Sequence, residues 1–131
     1  MSDVERGNIE LMAKNFDKTV ILLNVGGIVD TKFFKEINGL DSLVLVSQAG
    51  MEGGTAMANI LTGAVTPSGK LSDTWAADYK DYPASETIGD HDNNTDQEDY
   101  TEGIYVGYRY FDSFGKTPAY EFVVCHSEAD C

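Results

Sequence analysis

An α/β fold is the class this sequence predicts, in the form of a partial doubly wound, mostly parallel sheet with flanking helices. Two observations predict it. Residues 19–25 (TVILLNV) and 41–47 (DSLVLVS) are continuous apolar runs, as expected of strands covered on both faces. Helical patterns precede, separate and follow them. Residues 4–63 therefore read helix, strand, helix, strand, helix, which is half of a doubly wound sheet.

The elements follow in order. Val4, Ile9, Leu11, Met12 and Phe16 are loosely spaced at helical intervals, with Asp3 as the N-cap. Gly26 and Gly27 end the first strand, and residues 30–37 (DTKFFKEI) form a short helix opened by Asp30. After the second strand, residues 52–63 (EGGTAMANILTG) form a helix whose apolar positions are Ala56, Met57, Ile60 and Leu61. Gly63 stands at its C′ position. Residues 69–75 (GKLSDTW) read as a short strand, and residues 76–103 as a long polar loop, a length that usually carries a role. Ile104, Val106, Tyr108 and Tyr110 alternate as one face of a further strand would, rather than as a sugar platform. Ligands of such sheets gather beyond the carboxyl ends of the strands, where residues 24–27 and 47–50 fall.

The chain has 131 residues, 42% of them apolar, which suits one domain with a real core. Its net charge of −13 repels nucleic acid and anionic lipid, and no basic cluster offsets it. No apolar run reaches the ~20 residues a membrane-spanning helix requires. The first residues lack the basic start and apolar core of a secretory signal. The compartment is left open, with a cytoplasmic location favoured. Cys125 and Cys131 are the only cysteines, so the body of the chain has no disulfide framework.

Candidate chemistry is sparse. The turn SQAGMEGGT is no phosphate-binding P-loop, and PSGKL places Leu71 where a magnesium-binding hydroxyl is needed. No cofactor is implied. Asp90, Asp92, Asn94, Asp96 and Glu98 occupy alternate positions like a calcium loop, but Thr95 and Thr101 replace its glycine and glutamate. Asp90, Asp92, Asn94 and Asp96 are the candidate cation ligands of this incomplete set. His91 and His126 lie in polar surroundings without a nucleophile elbow, so a hydrolytic triad is not supported.

The succession VILLNVGGIVD, GMEGGTAMANILTGAVTPSGKLSDT, DYP and YTEGIYVGYRYFDSFGKTPAYEF resembles the C-terminal α/β sandwich domain of glycoside hydrolase family 3, which includes β-glucosidases. The resemblance implies a partial domain over residues 1–122, truncated at both ends, and a non-family tail over 123–131, where VVCHSEADC replaces the expected Gly-x-Gly-Leu-Ser-Tyr. It implies a parent that hydrolyses terminal β-linked sugars, such as β-glucosides, with retention. Family enzymes carry the nucleophilic aspartate on an N-terminal barrel, and their acid/base lies upstream of the matched segment. No residue here inherits either role, so the chain by itself is expected to be inactive.

The resemblance further implies that Gly50, Gly53 and Gly54 allow close packing on the side facing the barrel. Glu52 becomes a helix-start carboxylate favoured by the macrodipole, or a group shaping the pocket. Tyr100, Glu102 and Arg109 fall at the pocket rim, with Glu102 and Arg109 as a loop-fixing pair. The implied partners are the missing barrel domain and a second copy, since a half-sheet with open edges predicts self-association. Two alternatives stay open: a stand-alone carbohydrate-binding or scaffold domain, and a calcium-responsive module built on residues 90–102.

Overall fold

The computed structural model describes residues 1–87, 96, 98 and 100–123. The chain divides into two units, Met1–Ser68 and Gly69–Cys131.

The first unit opens with helix α1, Asp3–Asn15. Its N-cap is Ser2 rather than Asp3. The Ser2 hydroxyl accepts from the Glu5 amide at 3.3 Å, and the Glu5 carboxylate accepts from the Ser2 amide at 2.7 Å. This reciprocal box satisfies two helix-end donors, which an Asp3 cap would leave open. The bond from the Ser2 backbone, then that from its hydroxyl, holds the Glu5 carboxyl below its usual value.

Strand β1, Val20–Leu23, lies parallel to β2, Ser42–Leu45, in a register running from Val20 opposite Ser42 to Leu23 opposite Leu45. Between them comes helix α2, Lys32–Glu36. Its N-cap is Thr31 rather than the expected Asp30, which stands one residue further out and accepts from the Lys32 amide at 2.9 Å. Arg6 ties α1 to α2 through Glu36 at 2.8 Å. Phe33 and Ile37 are buried. Helix α3, Gly53–Leu61, ends on Gly63 at φ +76°, the left-handed C′ that the sequence placed there.

Asp41 aligns the amino ends of the two strands. One carboxylate oxygen accepts from the Thr19 amide at 2.8 Å, the other from the Lys18 ammonium at 2.9 Å. The Thr19 bond, followed by that from Lys18, holds the Asp41 carboxyl below its ordinary value. A lowered folded-state pKa means stability that is fully present above about pH 4 and lost as pH falls through the folded value. Asp41→Asn is expected to flatten that acid-side decline. Melting temperatures measured downward from pH 5 check it, and an unchanged slope counts against the role.

Coverage of the strands differs from expectation. No residue of β1 or β2 is buried; Val20 and Leu22 are 41% and 42% exposed. An apolar run records what a strand requires on its faces, but helices of this chain do not supply it on both. The described residues hold one parallel pair and one antiparallel pair, so the parallel character is confined to the first unit.

In the second unit the strand expected over 69–75 forms only at its end, as β3, Trp75–Ala76. It pairs antiparallel with β4, Pro118–Tyr120, Trp75 meeting Tyr120 edge to face at 6.5 Å. The beginning of the expected loop is ordered into a 3₁₀ turn at Tyr79–Asp81, and Ala84 is buried. The alternation at 104–110 does not make a strand. Gly107, at φ +57°, breaks the run and starts helix α4, Tyr108–Phe114, which Gly115 ends in the left-handed region. The helical period then decides the contacts: Tyr110 meets Phe114 four residues on at 4.8 Å, and Phe111 turns inward to 2% exposure.

Tyr82 crosslinks the strand from this turn. Its hydroxyl accepts from the Ala76 amide at 2.8 Å and donates to the Thr74 carbonyl at 3.2 Å. Burial raises the Tyr82 phenol pKa, with the Ala76 bond pulling the other way. The folded chain therefore holds this proton more tightly, and the stabilisation is present below about pH 10 and lost as pH rises through the folded value. Tyr82→Phe is expected to cost about 1–2 kcal/mol by leaving two backbone groups without a partner. Urea titration followed by Trp75 fluorescence at neutral pH measures it; an unaltered midpoint would show that water replaces the hydroxyl.

Candidate functional site

Two loops meet at the carboxyl edge of the parallel pair. A side chain on Gly26, after β1, would bring its Cβ within 3.2 Å of the side-chain nitrogen Nε2 of Gln48, after β2. Ser47 turns the chain out of β2 with φ +55°, a left-handed conformation uncommon for a residue other than glycine. Local strain of this kind is characteristic of binding and switch regions. Sequence reasoning placed both loops on this edge but gave no sign of the Gln48 approach; the adjacent glycines after β1 were the available signal.

The glycine-rich turn that follows has separable reasons for its composition. Gly50 takes φ +70°, and its carbonyl accepts from the Gly53 amide at 3.3 Å. Gly53 is buried, and a Cβ there would stand 2.8 Å from the Ala49 Cβ, closer than side chains approach. Gly54 faces open space within this chain. Glu52 occupies the N-cap position of α3 and is exposed; its carbonyl accepts from the Ala56 amide at 2.9 Å, while its carboxylate makes no cap bond. A carboxylate placed there is favoured by the positive end of the helix. Its neighbour Met51 is fully exposed, a prominence that the sequence reading passed over.

Tyr100, Glu102 and Arg109 belong to the second unit. Tyr100 is 77% exposed, and its neighbour Thr101 meets Thr87 hydroxyl to hydroxyl at 3.0 Å. Glu102 begins a turn closed by the Tyr105 amide on its carbonyl at 3.0 Å. One of its carboxylate oxygens is buried without a hydrogen-bond partner. The expected Glu102–Arg109 pair does not form. Gly107 redirects the chain into α4, and Arg109 lies over its neighbour Tyr108, 5.8 Å from the ring centroid. Phe122 stacks on Tyr108 at 5.3 Å and 14°. Tyr108 is thus engaged in packing with a cation and a ring, in keeping with a packing role rather than a sugar platform.

Of the candidate cation ligands, Asp90, Asp92 and Asn94 lie outside the described residues, while Asp96 is in a turn. His91, His126 and both cysteines also lie outside them.

The family model described as glycosyl hydrolase family 3 C-terminal domain matches residues 1–108. The chain belongs to that family. Among curated relatives, β-glucosidase A of Butyrivibrio fibrisolvens is 47% identical over 113 residues, 86% of this chain and 13% of its own length. β-Glucosidase of Ruminococcus albus is 46% identical over 116 residues, 88% of this chain and 12% of its own. The solved β-glucosidase 3B from Thermotoga neapolitana, in complex with glucose, superposes with a TM-score of 0.86 at 40% identity, covering 98% of this chain and 18% of that one. A β-glucosidase from Paenibacillus barengoltzii gives 0.85 at 36% identity over 98% of this chain and 14% of its own. The chain therefore corresponds to part of the C-terminal domain of family 3 β-glucosidases and spans about an eighth of the length of these curated relatives.

Proposed function

We propose that this chain is a portion of a retaining family 3 β-glycosidase, one that hydrolyses terminal β-linked sugars. The observation that carries the reading is the family match over residues 1–108 combined with coverage of only 12–13% of full-length β-glucosidases. Retaining hydrolysis needs an acid/base carboxyl and a nucleophilic carboxylate about 5–5.5 Å apart across the sugar. The chain contributes a wall of the pocket and an interface with the barrel domain, and supplies neither catalytic carboxyl.

The contribution of the chain is geometric. The glycine-rich turn at 50–54 permits a close approach of another domain, with Gly54 left open for it. Glu52, Tyr100, Glu102 and Arg109 are assigned to the pocket rim. The unpartnered oxygen of Glu102 supports this role, because a buried carboxylate oxygen is stabilised by a donor such as a sugar hydroxyl. The parallel β1–β2 pair is assigned to a larger doubly wound sheet. Its uncovered apolar residues support that assignment, since parallel strands are ordinarily covered on both faces.

The purified chain is expected to release no nitrophenol from p-nitrophenyl β-glucoside above the buffer rate. The assay is run at high protein concentration beside an intact family enzyme. Saturable hydrolysis by the chain, surviving repurification, would overturn the assignment of both carboxyl roles to other parts of the parent.

A further inference from the structure

We draw no further inference here: the strongest candidate, the Glu102 side chain in the turn before α4, whose buried carboxylate oxygen has no hydrogen-bond partner among the described residues, belongs to the pocket rim already proposed.

Discussion

Phe111→Ala is expected to destabilise the second unit by about 3–5 kcal/mol, the cost typical of emptying a buried aromatic site. Phe111 is 2% exposed, the most buried large side chain among the described residues. Its ring meets Tyr82 edge to face at 6.0 Å and 76°, and Tyr110 at 5.9 Å and 88°. Removal forfeits the buried apolar area and both ring contacts. It also loosens Tyr82, whose hydroxyl joins the Thr74 carbonyl and the Ala76 amide. Trp75, the only tryptophan and 5% exposed, reports on the same unit. Its fluorescence during urea unfolding should show the midpoint falling sharply. Phe111→Leu, which keeps part of the volume, should lose clearly less. Equal losses for the two would mean that ring geometry, not filled volume, stabilises the site.

Gly39→Ala is expected to cost the first unit about 2–4 kcal/mol, from two additive causes. Gly39 joins α2 to β2 with φ +92°, where an L side chain is strained in any surroundings. A Cβ there would also come within 2.9 Å of the Ala13 carbonyl oxygen on α1, a backbone atom that cannot rotate away. The substitution therefore either distorts the α2–β2 connection or pushes α1 outward. Gly7→Ala is the matched control. Gly7 lies inside α1 with open space around it, so the same added methyl is expected to stabilise by about 0.5–1 kcal/mol. Urea unfolding followed by far-UV circular dichroism compares the pair. Opposite signs support the structural account, while two changes of the same sign would sink it.

The two positions illustrate what is legible in a sequence. Gly63 could be placed as a C′ glycine because the helix before it has a recognisable period and end. At Gly39 the Asn38–Gly39 pair signals a turn, but the clash that forbids a side chain comes from Ala13 on α1, more than twenty residues earlier in the chain. Tyr108 and Tyr110 looked like part of an alternating run, because over seven residues a period of 2 and a period of 3.6 share positions. Gly107 resolves the ambiguity only through its backbone angle.

The candidate site shows the same division. The ordered motifs between residues 17 and 122 were enough to place the chain in family 3, since they depend on residue identity and spacing. The parallel order of β1 and β2 was likewise legible, because a helical crossover between two apolar runs permits little else. Pairings between side chains were not. Glu102 and Arg109 are seven residues apart, near enough to pair on paper, yet Gly107 turns the intervening chain and Arg109 settles on Tyr108.

The sequence by itself determined the strand and helix types of the first unit, its parallel pairing and its family, all of which follow from local periodicity and from motif order. Tertiary structure alone decided which apolar residues are covered, that Ser2 rather than Asp3 caps α1, and that residues 108–114 are helical. Those outcomes turn on backbone angles and on atoms brought together from distant positions, and a period along the chain records neither.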